Sequence, residues 1–151
     1  MDGSSPTEFS SLLTLTTASV GEIKENQGQI VVHYGNGVIK FPSKVTFEDT
    51  DWRLNCFCSP NVLGALREWR RQIMDQKTER MGLPSEYMRT VYFLKYDGQG
   101  NCRDAIKCPG TWIGALGNGE MNQEGGNIVQ VNVPFVISKA IYLTGNELRT
   151  I

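Results

Sequence analysis

The alternation of apolar and polar residues along Asn127–Ser138 constrains the fold of this chain more than any other feature. Every second residue is apolar, and these residues form one face of the segment: Val129, Val131, Val133, Phe135 and Ile137. The residues between them include the polar Gln130 and Asn132. A period of two is that of a β-strand with one buried face. Because Pro134 cannot donate a backbone hydrogen bond, it predicts a sheet edge or a bulge within this strand.

A β-hairpin is predicted over Gln29–Phe41. Its arms are Ile30–Tyr34 and Val38–Phe41, and both are rich in β-branched and aromatic residues. The sequence Gly35-Asn36-Gly37 lies between them. An Asn-Gly pair in this position is typical of a tight turn in which both turn residues take positive φ.

Further segments with strand composition bring the total to about seven strands. They are Leu12–Val20, Asp51–Cys58, Met88–Tyr96 and Cys102–Cys108, with a short, weak candidate at Thr111–Ala115 and a candidate continuation of the last strand at Ala140–Leu143.

One helix is predicted in the middle of the chain. Its apolar residues are spaced by four, three and four positions, which puts them on one side of a helix: Val62, Leu66, Trp69 and Ile73. Ser59 is suited to cap the helix start, and Pro60 to occupy its first position. Gly82, followed by Pro84, predicts a helix end near Met81. We expect the apolar stripe to anchor the helix on a sheet.

Together these elements predict a mainly β fold with one α-helix. The expected architecture is a small β-barrel or sandwich of about seven strands, with the helix packed on the outside. The 151 residues fit a single domain over 1–151. Within it, residues 1–11 are expected to form a loose N-terminal segment, and residues 144–151 a C-terminal tail.

The sequence gives little support for catalysis or for metal binding. The net charge is −1 and His33 is the only histidine, which argues against a dedicated nucleic-acid binder and against histidine-rich zinc sites. No phosphate-binding loop or nucleophile elbow is present. The acidic segment Glu48–Asp51 lacks the pattern of a calcium loop. We predict no catalytic, metal-binding or cofactor-binding residues, and place His33 on a surface or interface strand.

Membrane insertion is not expected either. The segment Met1–Glu8 is polar and acidic, unlike a signal peptide. No apolar run approaches the roughly 20 residues that a membrane-spanning helix needs. We expect synthesis in a cytoplasm.

The four cysteines do not have the spacing of a zinc site. Cys56 and Cys58 share a strand face, and Cys102 and Cys108 are far apart along a strand, so bonds within either pair are not expected. Two alternatives stay open. The cysteines are reduced and packed as small apolar side chains, or disulfides join the two strands within or between subunits.

The strand over Met88–Tyr96 is apolar on both faces. Val91 and Phe93 lie on one face, and Tyr92 and Leu94 on the other. In a domain of this size such a strand is covered by the helix or by another subunit. This pattern favours an assembly protein over an enzyme.

The order and spacing of four motifs resemble those of the tail tube proteins of contractile-tailed bacteriophages. The matching stretch runs from Ile39 to Leu143. The motifs are Lys44–Asp49 with Asp51-Trp52 and the later Arg67-Glu68-Trp69, Pro84–Tyr87 leading into Val91–Leu94, Gly110–Gly114, and the strand Asn127–Phe135.

The resemblance implies two packed sheets with a flanking helix, and hexameric rings stacked into a hollow tube. It implies that strands of neighbouring subunits join around the lumen through these residues: Ile30, Val32, Tyr34, Ile39, Phe41, Tyr92 and Leu94. The implied partners are further copies of the chain and the sheath, baseplate and tail-terminator proteins. Inside the lumen, the implied partners are the tape-measure protein and then DNA, and neither is bound specifically. The implied location is the tail of a virion.

Two alternatives to a phage tail tube stay open. The inner tube of a related contractile secretion or injection machine would share the fold and the ring symmetry, but its cargo would be protein. A ligand-binding β-sandwich or a small hydrolase belongs to a different class, and a defined pocket with convergent polar groups would favour it.

Overall fold

Antiparallel β-strands dominate the computed structural model, which describes residues 6–56, 61–117, 128–145 and 147. The predicted mainly β fold class is confirmed. The chain passes back and forth between two units. The first unit is drawn from Met1–Glu22, Thr50–Met88 and Trp112–Val136. The second is drawn from Ile23–Asp49, Arg89–Thr111 and Ile137–Ile151.

Ten strands and three helices lie within the described ranges. The helices are α1 (Pro6–Thr16), α2 (Val62–Ile73) and α3 (Pro84–Tyr87). The strands are β1 (Thr17–Val20), β2 (Glu25–Tyr34), β3 (Gly37–Phe47), β4 (Thr50–Cys56), β5 (Met74–Asp75), β6 (Arg80–Met81), β7 (Arg89–Tyr96), β8 (Cys102–Ile113), β9 (Val129–Val136) and β10 (Ile141–Leu143).

The sheet of the first unit has the strand order β1-β4-β9 and is antiparallel. Trp52 of β4 lies opposite Val133 of β9, and Leu54 lies opposite Val131. Residues directly opposite each other point to the same face of a sheet. All four side chains are buried, so the apolar faces of the two strands form one continuous part of the core.

Pro134 lies where the pairing of β9 changes. On one side β9 pairs with β4, and Asp51 lies opposite the proline. On the other side the end of β8 pairs with β9 only at Phe135 and Val136, and the Gly114 N–H donates to the Pro134 carbonyl at 2.9 Å. A proline suits a position where a strand loses one of its partners, because its nitrogen has no hydrogen to donate.

The start of α2 differs from the prediction. Asn61 is the N-cap, and its side-chain oxygen accepts a hydrogen bond from the Gly64 N–H at 2.9 Å. The predicted cap, Ser59, and the predicted first residue, Pro60, lie outside the described residues. The four residues of the apolar stripe are buried: Val62, Leu66, Trp69 and Ile73.

The end of α2 also differs, because the helix stops at Ile73 and not near Met81. Met74 is extended, and it lies opposite Met81 in a short hairpin of β5 and β6. The Gly82 N–H donates to the Ile73 carbonyl at 2.9 Å. A side-chain carbon at Gly82 would collide with the Gln72 carbonyl. Glycine is therefore needed at position 82 because the chain passes close to the Gln72 carbonyl there, and it does not end the helix.

The N-terminal part was predicted as a loose segment over 1–11 and a strand over Leu12–Val20. Helix α1 replaces both over Pro6–Thr16, and only Thr17–Val20 form a strand. The hydroxyl groups of Thr14, Thr16 and Thr17 each donate to the carbonyl four residues earlier. β-Branched residues favour strands, but here a helix satisfies their hydroxyl groups locally, and Thr16 is buried.

The second unit contains the β2–β3 hairpin and the strands β7, β8 and β10. Strand β8 pairs with β7 on one side and with β10 on the other, so Tyr92 and Ile141 both lie opposite Lys107. It runs on to Ile113 and includes most of the segment predicted as a separate short strand at Thr111–Ala115. Strand β10 is separate from β9 and does not continue it.

An aromatic cluster holds the first unit together. The rings of Trp52 and Phe135 stack with their centroids 4.5 Å apart. Trp69 of α2 packs on the same phenylalanine at 6.0 Å. Both indole nitrogens have acceptors: Trp52 Nε1 donates to Thr17 Oγ1 at 3.0 Å, and Trp69 Nε1 donates to the Tyr87 carbonyl at 2.8 Å. Each tryptophan thus contributes apolar contact and a satisfied polar group.

Replacing Trp69 tests the role of this cluster. Trp69→Ala should lower the free energy of unfolding by about 3–5 kcal/mol, because it removes a buried aromatic side chain. Trp69→Phe keeps a ring but leaves the Tyr87 carbonyl without its donor, so its cost should be about 1–2 kcal/mol. Urea unfolding measures both. A loss below about 1 kcal/mol for Trp69→Ala would mean that the helix is peripheral.

Candidate assembly surface

The β2–β3 hairpin is the most exposed apolar element of the described chain. Tyr34 pairs with Gly37, so Gly35 and Asn36 form the turn. The prediction of positive φ at both Asn36 and Gly37 is wrong: of these turn residues only Gly35 has positive φ, at 54°. A two-residue turn that begins with glycine needs positive φ at that residue alone, and glycine takes it without steric cost.

One face of the hairpin consists of aliphatic and aromatic side chains, and the Tyr34 hydroxyl is the one polar group among them. Ile30 lies opposite Phe41, and Val32 lies opposite Ile39. Tyr34 completes the row at the turn. We call this set the apolar face: Ile30, Val32, Tyr34, Ile39 and Phe41. Between 43% and 77% of each of these residues is exposed in the isolated chain. They are also the hairpin residues that the resemblance assigned to contact with neighbouring subunits.

The opposite face of the hairpin is mixed in character. Val31 lies opposite Lys40, and His33 lies opposite Val38. Together with Gln29 we call them the mixed face. All five residues are exposed. His33 therefore lies on a surface strand, as predicted. The two faces share one backbone but differ in charge, since the apolar face has no group that is ionised at neutral pH.

Polar contacts fix the base of the hairpin. Asn26 Nδ2 donates to Glu48 Oε1 at 2.6 Å, and Gln27 Nε2 donates to the Ser43 carbonyl. The register shifts beside Gly28, where a side-chain carbon would lie only 3.1 Å from the Lys44 carbonyl. The irregularity thus occurs at a position where only glycine fits easily. Above this base, the hairpin is held by its own ladder and turn.

Strand β7 provides the other residues that the resemblance assigned to subunit contacts. Tyr92 and Leu94 lie on the same face of β7; Tyr92 is exposed and Leu94 is half-buried. The Lys107 ammonium lies 5.8 Å from the centroid of the Tyr92 ring, a cation–π distance. Within the described residues β7 pairs only with β8, so its other edge is open to a further strand.

The described residues offer little that resembles an active site. Among the residues that the structure describes, no group of three His, Cys, Asp or Glu side chains is arranged to hold a metal ion. A cleft in the first unit is lined by charged and polar residues, with no apolar side chain: Arg71, Gln72, Asp75, Thr78, Arg80, Gly82 and Glu86. Small-molecule sites are mostly apolar, so this cleft does not favour a ligand-binding sandwich.

No helix in the described part of the chain combines the length and the apolar character needed to cross a membrane.

Three cysteines are free thiols within the chain: Cys56, Cys102 and Cys108. Cys58 lies outside the described residues. Burial raises the pKa of the Cys108 thiol from 9.0 to about 11 and also raises the pKa of Cys56. Cys108 was predicted as a candidate for a bond between subunits, but it is completely buried. Cys102 is half-buried, so it is the better candidate of that pair.

Comparison with known proteins finds likeness in structure and not in sequence. No protein-family model matches the sequence, and a search of curated proteins finds no match. The tube terminating cap of the anti-feeding prophage is similar with a TM-score of 0.71 at 13% identity, over 85% of this chain and 80% of that one.

Two structures from an extracellular contractile injection system, PVC, are also similar in their extended state. Its sheath/tube terminator has a TM-score of 0.69 at 12% identity, with 85% of both chains covered. A chain in the structure of its sheath-tube complex has a TM-score of 0.62 at 13% identity, over 85% of this chain and 80% of that chain. The chain thus has the fold found in tube and cap proteins of contractile injection systems.

The turn of the hairpin can be tested with two glycines that differ in backbone conformation. Gly35→Val should destabilise the hairpin by about 1–2 kcal/mol, because L-residues resist positive φ. Gly37→Val should cost less than about 0.5 kcal/mol, since the new carbon would meet only the Tyr34 carbonyl at an ordinary distance of 3.5 Å. Hydrogen exchange of the β2 and β3 amides measures the difference. Equal effects at both positions would contradict this turn geometry.

The burial of Cys108 predicts how the thiols react with iodoacetamide at pH 8. Cys102 should be alkylated in the native protein. Cys108 should stay unmodified until urea is added, because the thiolate is the nucleophile and a pKa of about 11 leaves little of it. Mass spectrometry of peptides locates the label. Labelling of native Cys108 as fast as Cys102 would show that this part of β8 is open to solvent.

Proposed function

We propose that this chain is a structural subunit of the tube of a contractile injection machine, or of the ring that terminates the tube. The observation that carries this proposal is the apolar face of the β2–β3 hairpin, on a fold shared with tube and cap proteins. Large exposed apolar patches on a protein mark contact surfaces. A hairpin edge that lacks partners is suited to strand pairing with another chain.

The structural neighbours support an injection machine over a phage tail. The expectation from sequence was the inner tube of a phage tail, with the tube of a related injection machine as the alternative. The similar structures belong to the anti-feeding prophage and to the PVC injection system, so the alternative has the better support. We accordingly propose protein as the cargo. Passage of DNA remains an expectation from the resemblance to phage tail tubes.

The proposed partners are further copies of the chain, in rings with the sixfold symmetry that the resemblance implied, and a sheath protein around them. Structures of the PVC terminator and of the sheath-tube complex include the same fold, which supports both partners. A baseplate structure of the anti-feeding prophage contains a chain with a TM-score of 0.64 to this one at 6% identity. We therefore also propose contact with a baseplate.

A phage tail tube is the second candidate, and it would use the same surfaces. The motif order along Ile39–Leu143 favours it. The neighbouring genes distinguish the two candidates, since capsid and terminase genes accompany a phage tail but not an injection machine. A role as an enzyme has no support from the polar cleft in the first unit, and we propose a structural role.

Self-assembly of the purified protein tests the proposed function. At high protein concentration, negative-stain electron microscopy should show rings or tubes with a central hole. Sedimentation of the same samples should show a large species that dissociates on dilution, because the contacts are non-covalent and depend on concentration. A monomer that stays a monomer at millimolar concentration, alone and with added sheath protein, would contradict the proposal.

A further inference from the structure

We infer that Asn36, in the turn of the β2–β3 hairpin, is a site of spontaneous deamidation. The reaction converts the side-chain amide into a carboxylate and needs only water as co-reactant. The inference goes beyond the proposed function and does not depend on it. Three features of the turn carry it: the residue that follows Asn36, the surroundings of its amide, and the space beside Gly37.

The residue after an asparagine controls this reaction, because its backbone nitrogen is the nucleophile. The Gly37 nitrogen attacks the side-chain carbonyl carbon of Asn36, and the new carbon–nitrogen bond closes a five-membered imide. The amide nitrogen leaves as ammonia and takes up a proton in place of the one that the Gly37 nitrogen loses. Asparagine is among the thermolabile residues of proteins, and a following glycine has no Cβ to crowd the attack.

Water completes the reaction by opening the imide at one of its two carbonyl carbons. Opening at the side-chain carbon of residue 36 restores the normal backbone and gives aspartate. Opening at the backbone carbon gives isoaspartate, in which the chain continues through the former side chain. In both products one ammonia is lost and one water is gained, so no oxidant or reductant is needed.

The amide of Asn36 differs from the other asparagine amides in its surroundings. Among the described residues, Asn36 is the only asparagine that is followed by glycine. It is exposed, and its side chain has no hydrogen-bond partner in the described part of the chain. Four other asparagine side chains each have a partner: Asn26, Asn55, Asn61 and Asn101. A hydrogen-bonded amide is held away from the next backbone nitrogen, so these four are protected.

The turn offers little resistance to the attack. A side-chain carbon at Gly37 would meet only the Tyr34 carbonyl, at 3.5 Å, so the space beside this residue is open. Gly37 pairs with Tyr34 in the last pair of the ladder. The end of a ladder opens at a much lower free energy than the whole domain. We therefore expect the folded chain to react without global unfolding.

The products change the hairpin in two ways. Either product adds a carboxylate to the segment 29–42, which has none and in which Lys40 is the one side chain fully ionised at neutral pH. Isoaspartate also adds one carbon to the backbone of a two-residue turn. Because loop length and turn type fix the register of a hairpin, isoaspartate should loosen the end of the ladder and aspartate should leave it intact.

Incubation of the full chain at pH 8, followed by trypsin digestion and mass spectrometry, tests the inference. The tryptic peptide 25–40 contains both Asn26 and Asn36, so Asn26 is a control within the same peptide. We expect Asn36 to be converted at least about tenfold faster than Asn26. Asn118-Gly119, which lies outside the described residues, falls in the separate peptide 108–139 and does not interfere.

A matched pair of glycine variants tests the role of Gly37. Gly37→Ala should slow the conversion of Asn36 at least about tenfold, because the new Cβ crowds the attacking nitrogen. Gly37 does not have positive φ, so alanine fits the turn. Gly98→Ala is the control, since a Cβ there would meet nothing within 4 Å, and the rate at Asn36 should not change. Circular dichroism establishes that both variants fold.

Two results would overturn the inference in the original chain, whether or not the variants fold. One is conversion of Asn36 no faster than that of Asn26. The other is a rate in the native chain more than about tenfold below the rate in urea, which would show that the turn protects Asn36. An unchanged rate in a folded Gly37→Ala variant would overturn it as well. None of these results bears on the proposed function, which is tested by assembly.

Discussion

The first unit depends on the contact of three aromatic rings. Phe135 of β9 stacks on Trp52 of β4 and supports Trp69 of α2, so a single side chain joins two strands and a helix. The indole nitrogens extend this contact to α3 and to Thr17 at the start of β1. Arg70, next to Trp69, donates to the carbonyls of Ile113 and Gly114. Apolar contacts and hydrogen bonds thus come from neighbouring side chains of α2. Together they fix the orientation of this helix on the sheet.

The second unit contrasts with this arrangement. Its hairpin displays apolar side chains to solvent that a folded monomer would normally bury. The turn and the polar contacts at the base hold the hairpin in shape without covering those side chains. In our proposal, other copies of the chain supply the missing contacts. The apolar side chains of the hairpin then become part of a hydrophobic core only in the assembly.

Much of this fold could be predicted from the sequence because its periodicities are clear. The period of two along β9 identified the side chains that pack on β4, and the spacing of Val62, Leu66, Trp69 and Ile73 identified the buried side of α2. Both signals depend only on which residues are apolar. The exposed ladder of the hairpin could be predicted in the same way, but whether another subunit covers it is not encoded in the periodicity.

The errors arose where local chemistry competes with composition. The threonine-rich N-terminal part resembles a strand, yet its hydroxyl groups donate to carbonyls within α1. Gly82 resembles a helix stop, yet it allows the chain to return closely past Gln72. At the hairpin turn, glycine at position 35 took the positive φ that was expected of Asn36 and Gly37. Each of these outcomes depends on a backbone contact or a backbone conformation that residue types alone do not specify.

The two-faced hairpin also bears on how such a protein can evolve. Along β2 and β3, tolerance to substitution should alternate from one residue to the next, because successive side chains lie on an apolar face and on a mixed face. Positions 31, 33, 38 and 40 could then vary in charge while subunit contacts stay intact. In the proposed assembly, substitutions at these four positions would change the charge of an exposed surface and leave the apolar face as it is.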